Sequence, residues 1–231
     1  MTMRASSARI GTAVALLAAA AAWAALVAGA VHTSHDDVLE SGHTPDLAAL
    51  VALLGGWQVM VVAMMLPPEI AAASGALGRS ARRDWAASSA LVATMGAVWT
   101  GFAIIALTGD AVLHRLVDSW PRLAGLIAPL VLAGAGVFQR SAIRKRLLAG
   151  ARDPSRPPWR HAVCCLGSCW ALMLVTLAIG IENLLWMGAL TAVMTVERAA
   201  RPGPERLAGP LLGWALIGAA ALVAIQPGLI G

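Results

Sequence analysis

Three sulfur-bearing side chains recur at every fourth residue of one apolar stretch, at Cys165, Cys169 and Met173. Side chains four residues apart lie on the same face of an α-helix, so the two thiols and the thioether would form one stripe. Thiolate and thioether sulfurs are soft ligands that suit Cu(I) above the other first-row metal ions, and His161, one turn earlier, would add an imidazole. The spacing therefore predicts a soft-metal site on this helix.

A second pair of sulfur atoms lies in another apolar stretch, at Met64 and Met65. If the two stretches cross a membrane in opposite directions, these thioethers reach about the same depth as Cys165, near the cytoplasmic face. The alternative interpretation is hydrophobic packing, because Met and Cys are ordinary core residues and Met fills irregular gaps. An acidic segment with three histidines, residues 32–46, is another candidate for binding a divalent cation, unless it is simply solvated.

The composition indicates that these stretches lie in a lipid bilayer. Of 231 residues, 59% are hydrophobic and 13% are charged, and the mean hydropathy is +0.75. A soluble core of this size could not hide so much apolar surface. The formal net charge is +5, but the basic residues fall in short tracts between apolar runs, where they act as topology signals. We therefore expect an all-α integral membrane protein that binds no nucleic acid.

Apolar stretches divide the chain into candidate membrane spans. They lie at residues 10–31, 47–66, 86–108, 122–139, 162–179, 184–197 and 209–229. Each can cross, or nearly cross, a hydrocarbon layer about 30 Å thick. The second stretch is predicted to end at Pro67 and Pro68, since proline cannot supply the N–H that continues a helix. The bundle thus has about seven spans, or six if the fifth and sixth stretches form one broken helix.

The distribution of basic residues favours seven spans. With a hairpin between the fifth and sixth stretches, 15 of the 17 basic residues lie on one side, and only Arg115 and Arg122 lie on the other. The positive-inside rule then places the N-terminus in the cytoplasm and the C-terminus outside the cell membrane. Residues 1–231 form a single integral membrane domain, in which 10–31 is a retained span resembling a signal anchor and 140–160 is a basic cytoplasmic loop.

Several ordered blocks of the chain resemble a family of predicted metal-binding integral membrane proteins, the domain of unknown function 2182. Residues 57–67, WQVMVVAMMLP, are similar to its W-x-x-M-x-x-A-M-M-L-P signature. Residues 138–154 are similar to its basic loop, residues 165–173, CLGSCWALM, to its C-x-G-C-C-W-A-L-M block, and residues 180–187, GIENLLWM, to its G-x-M-N-x-x-W-M block. The resemblance implies metal binding, with copper handling as the expected role.

This chain departs from the family pattern at four positions. Leu147 and Ala151 stand where the family has cysteines in the loop, Ser168 replaces a third cysteine, and Glu182 replaces a methionine. Cys165, Cys169 and the methionine pair of the second stretch do match the pattern. The chain thus keeps part of the expected set of soft ligands.

Together these features predict a non-enzymatic inner-membrane protein that binds Cu(I) in metal delivery or homeostasis. Cys165 and Cys169 would be the thiolate ligands, completed by Met64 or Met65, by Met173 and by His161. A metal donor or acceptor protein is the expected partner, and the basic loop would contact anionic lipid. The alternative is a structural or assembly subunit with a degenerate metal site. A transporter is less favoured, because no internal repeat is evident.

Overall fold

The computed structural model describes residues 2–32, 47–76, 85–120, 124–153, 155–179, 183–199 and 205–226, and the regular structure in these ranges is entirely helical. The helices are α1 Thr2–His32, α2 Leu47–Ala76, α3 Trp85–Ser119, α4 Ala124–Arg140, α5 Ala142–Ala151, α6 Pro158–Ile179, α7 Leu184–Ala199 and α8 Glu205–Ile225. The prediction of an all-α helical bundle is confirmed.

Within the described ranges, five helices contain a segment that is long and apolar enough to cross a membrane. These segments are Thr12–Gly29, Val51–Ile70, Ser89–Ser119, Pro158–Ala178 and Ala208–Ile225. Helices α4 and α5 meet at an angle of 69° and would form a sixth span if the bent pair is counted as one. Helix α7 has 16 residues and is about 24 Å long at 1.5 Å per residue. It is the short sixth stretch of the sequence, and the arrangement of seven spans stays a prediction.

Helix α2 does not end at its two prolines. The prediction of an end at Pro67 and Pro68 was wrong, because α2 continues to Ala76. A proline inside a helix removes the hydrogen bond to the carbonyl four residues earlier, which for Pro67 is the carbonyl of Ala63. The indole Nε1 of Trp23 on α1 donates to that carbonyl at 3.0 Å. A neighbouring helix thus replaces the lost bond, which is how membrane helices tolerate proline.

Helix α6 is the most enclosed of the candidate spans. Of its apolar segment, 61% is buried inside the bundle, compared with 39% or less for the other four. It packs against α3, α4, α5 and α7, while α2 packs against α1, α3 and α7. The helix that carries the predicted sulfur stripe therefore lies at the centre of the protein.

Helices α4 and α8 approach closely because glycines face each other. A Cβ atom added to Gly136 would lie 2.6 Å from the carbonyl oxygen of Gly213, and one added to Gly213 would lie 2.8 Å from the carbonyl oxygen of Gly136. Both distances are far shorter than a van der Waals contact, and each clash is with backbone, which cannot rotate away. Facing small residues of this kind let two helix backbones approach each other closely.

We expect Gly136→Ala to destabilise the protein by about 1–3 kcal/mol, since the added methyl group must push α4 and α8 apart. The measurement is thermal or denaturant unfolding of the purified protein in detergent. Gly134→Ala is the matched control, because a Cβ atom there has nothing within 4 Å. Alanine favours helix over glycine, so this control should unfold no earlier than the wild type. Equal destabilisation by both variants would contradict the close α4–α8 contact.

Candidate metal centre

Two thiols lie together on α6, enclosed by the bundle. Cys165 is fully buried and Cys169 is 4% exposed. Both are free, and they lie four residues apart, so their side chains share one face of the helix. The hydroxyl group of Ser168 donates to the carbonyl of Cys165 at 2.9 Å and lies 3.4 Å from the sulfur of Cys169. The helical spacing therefore produces a preformed pair of soft donors, as the sequence indicated.

The predicted methionines belong to the same apolar cluster as this thiol pair. Met64 and Met65 of α2 and Met173 of α6 are at most 3% exposed, and all three are part of the central core cluster that contains Cys165 and Cys169. The structure thus brings the two sulfur groups of the sequence into one core, although the same burial would also suit methionines that only fill space.

Further buried methionines lie in this core cluster and were not predicted as site residues. They are Met60 on α2 and Met187 and Met194 on α7. The two on α7 are seven residues apart, a spacing that places both on one helix face. That spacing was the available signal in the sequence. The core around the thiols is therefore richer in thioethers than the sulfur stripe of α6 alone.

An ionic cluster joins α2, α6 and α7 beside the thiols. One carboxylate oxygen of Glu69 lies 2.9 Å from Nε2 of His161, and the other accepts a hydrogen bond from the guanidinium of Arg198. The side chains of Glu69, His161 and Arg198 are 18%, 7% and 1% exposed. The Arg198 guanidinium also lies close enough to Cys165 and Cys169 to interact with both electrostatically. A buried positive charge thus faces the place where thiolates would carry negative charge.

His161 lies one turn before Cys165, as predicted, and its ring is already engaged. Because Nε2 faces the carboxylate of Glu69, a metal bound there would have to displace that contact. The described residues contain no group of three or more His, Cys, Asp and Glu side chains arranged to hold a metal ion. A tetrahedral zinc site needs four such ligands. A site of low coordination number built on thiols and thioethers fits these residues better.

The sequence did not predict Glu69 and Arg198 as site residues. Glu69 directly follows two prolines at the end of an apolar stretch, and Arg198 was counted only as a topology signal. The signal for Glu69 was the position itself, because a carboxylate next to a membrane span is costly unless it has a partner. Of the candidate cation-binding segment 32–46, residues 33–46 lie outside the described residues, and so does Glu182.

A second ion pair holds α7 against α5. Arg144 of α5 donates to the carboxylate of Glu197, and the side chains are 3% and 2% exposed. The guanidinium of Arg152, just after α5, donates to the backbone carbonyl of Glu197. Since Glu197 precedes Arg198 directly, these contacts fix the turn of α7 that presents Arg198 to the thiols.

The connection from α5 to α6 is ordered by local hydrogen bonds. The carboxylate of Asp153 accepts from the hydroxyl and the backbone N–H of Ser155 at 2.6 and 3.0 Å. These bonds, together with the nearby Arg156, hold the pKa of Asp153 below its ordinary value. Pro158 then begins α6, where the fixed φ of proline suits the first helical position. This connection sets where α6, and hence the thiol pair, begins.

The fold and the site together define an all-helical protein with a buried thiol pair in a methionine-rich core. A family model described as a copper chaperone, PpoB2, matches residues 54–223, which is about three quarters of the chain. The protein therefore belongs to this copper chaperone family. The expected relationship to a copper-handling family is confirmed, under a description different from the domain of unknown function 2182.

No curated protein matches the chain. No solved structure matches it either.

Proposed function

We propose that this protein is a membrane-embedded copper chaperone that binds Cu(I) through Cys165 and Cys169 and passes it to a partner protein without enzymatic chemistry. The observation that carries the proposal is the pair of free, buried thiols on neighbouring turns of α6. Thiolate sulfur selects Cu(I). The copper chaperone family supports the same cargo.

The charge around the thiols supports binding of a monovalent cation by two thiolates. Two thiolates and one Cu(I) carry a net charge of minus one, and an unpaired charge inside an apolar core is strongly unfavourable. The guanidinium of Arg198 is close enough to both sulfurs to interact with them electrostatically and would stabilise the negative charge of this complex. Glu69 orients Arg198 from the other side. In this proposal the ionic cluster stabilises the loaded site, and His161 positions Glu69 or becomes a further ligand.

The methionine-rich core supports exchange of the ion as well as binding. Met64, Met65 and Met173 are neutral soft donors, which hold Cu(I) less firmly than thiolates do. A third ligand of this kind can be replaced by a thiol of an incoming partner without leaving the ion uncoordinated. We therefore propose a metal donor or acceptor protein with exposed sulfur ligands as the partner.

The proposed location is the cell membrane, with the thiol pair near the cytoplasmic face. The segments long and apolar enough to span a membrane support insertion. The basic tracts support a cytoplasmic N-terminus and an external C-terminus, with seven spans. In that topology Glu69 and His161 lie at the cytoplasmic ends of their helices, so copper would enter and leave on that side.

The test is an anaerobic titration of the purified protein in detergent with Cu(I) in the presence of a competing chelator. We expect about one tightly held copper per chain, with an X-ray absorption spectrum dominated by sulfur neighbours. A protein that leaves all the copper with the chelator, or holds it through nitrogen and oxygen only, would contradict the proposal.

The second candidate function is a structural or assembly subunit. The observation that favours it is the presence of two buried ion pairs, Arg144 with Glu197 and Arg198 with Glu69, which hold the three helices α2, α5 and α7 together. In that case removal of the thiols would leave association with partner subunits unchanged. Replacement of basic residues in α5 would abolish it.

A further inference from the structure

The ionic cluster marks one common level on three helices. Glu69 of α2 contacts both His161 of α6 and Arg198 of α7, so these three residues lie at the same depth in the bundle. Each of them is near one end of the apolar part of its helix. Because an α-helix rises 1.5 Å per residue, the number of residues from the ionic cluster gives the approximate depth of any other side chain on these helices.

The sulfur atoms on these helices lie at two different levels. The first level is four residues, or about 6 Å, from the ionic cluster and holds Met65, Cys165 and Met194. The second level is nine to twelve residues, or about 14–18 Å, from it. We call its members the outer thioether group: Met60 of α2, Met173 of α6 and Met187 of α7.

The outer thioether group lies inside the bundle. Its three side chains are at most 1% exposed and belong to the core cluster that contains the thiols. Met187 is 11 residues, or about three turns, from Arg198 and so lies on the same face of α7. That face of α7 meets α2 through Glu69 and the thiols of α6 through the charge of Arg198. Met173 continues the face of α6 that carries the thiols.

The outer thioether group has the chemistry of a second site for a soft cation. Three neutral thioethers from three helices are donors that suit Cu(I). Trp57 of α2 is 12 residues, or about 18 Å, from Glu69, so its indole lies at the same level. It is 5% exposed and belongs to the same cluster. The face of an indole ring attracts cations, which would partly offset the cost of a positive charge in an apolar core.

Cys169 lies between the two levels. It is eight residues, or about 12 Å, from His161, and one helical turn before Met173. An ion held by the thiol pair therefore has a thioether one turn further along the same face of α6. We propose that the outer thioether group is a second Cu(I) site, which exchanges its ion with the thiol pair through Cys169. This inference rests on the proposed function, because it takes Cu(I) as the cargo.

The experiment is an anaerobic titration of the full protein in detergent with Cu(I), without a competing chelator, in which native mass spectrometry counts the ions on each chain. The test variant combines Met60→Leu, Met173→Leu and Met187→Leu. Leucine keeps the volume of methionine and removes its sulfur, so such changes are usually tolerated in cores. The three single variants serve if the combined one does not fold. The matched control combines Met64→Leu, Met65→Leu and Met194→Leu, which lie nearer the ionic cluster.

We expect the wild type to bind two ions, the second more weakly, because thioethers hold Cu(I) less firmly than thiolates do. The test variant should bind only the first ion, and each single variant should raise the Kd of the second ion at least about ten-fold. The control should keep the second ion. A wild type that binds one ion, a test variant that binds two, or equal loss in test variant and control would overturn the inference. A Cys165→Ser, Cys169→Ser chain that keeps the first ion would contradict the proposed function instead.

Discussion

A chain carrying both Cys165→Ser and Cys169→Ser is expected to lose its copper. A serine hydroxyl is a hard donor that stays protonated, so it does not replace a thiolate as a ligand for Cu(I). Changes outside the ligand shell of a metal already cost about 10–100-fold in affinity. Removal of both ligands should therefore lower the affinity by more than about 100-fold. The measurement is copper content by mass spectrometry after anaerobic purification with Cu(I) supplied.

Cys164→Ser is the matched control for this double variant. Cys164 is also buried, but it precedes Cys165 directly and so points about 100° away around the helix. Its sulfur lies 3.7 Å from a guanidinium nitrogen of Arg156, on the side of α5. This variant should keep its copper. If the double variant kept copper as well, the thiols would be packing residues and the structural function would be favoured.

Arg144→Met is expected to lower the stability of the protein strongly. This substitution leaves the carboxylate of Glu197, whose side chain is 2% exposed, without its cation. Breaking a buried ion pair in this way typically costs about 3–5 kcal/mol, because the remaining charge has no compensation. The measurement is the free energy of unfolding in detergent, compared with the wild type. We expect the free energy of unfolding to fall by this amount and Tm to fall with it.

A double variant, Arg144→Met with Glu197→Met, distinguishes the contribution of the ion pair to stability from that of side-chain packing. Apolar side chains of similar volume often replace a buried ion pair without loss of stability, so the double variant should recover most of what the single variant lost. The hydrogen bond from Arg152 to the backbone of residue 197 can persist in both variants. A double variant as unstable as the sum of two single losses would show that the charges do not compensate each other.

The apolar stretches predicted the positions of the helices well, because a helix forms its backbone hydrogen bonds within its own segment, so that a long apolar sequence is enough to indicate it. The exception was α2, because the two prolines were predicted to end the helix. The hydrogen bond that lets the helix continue comes from Trp23, which lies 40 residues before its acceptor Ala63 in the chain. No local pattern around Pro67 carries that information.

The thiol pair was predicted because both cysteines lie on one helix, where spacing fixes which side chains share a face. The ionic cluster was not, since Glu69 and Arg198 are 129 residues apart and meet only through the packing of α2 against α7. Arg144 and Arg198 illustrate the same difficulty. Counted as topology signals, basic residues are expected in water, yet both side chains are buried.

Trp23 and Pro67 together fix the position of α1 against α2. An unpaired carbonyl in hydrocarbon costs several kcal/mol, and the indole of Trp23 offers a single N–H to meet the carbonyl of Ala63. A slip of α1 by one residue would shift that donor about 1.5 Å along the axis and about 100° around it, away from its acceptor. The proline in α2 thereby specifies both the axial position and the rotation of α1 relative to α2.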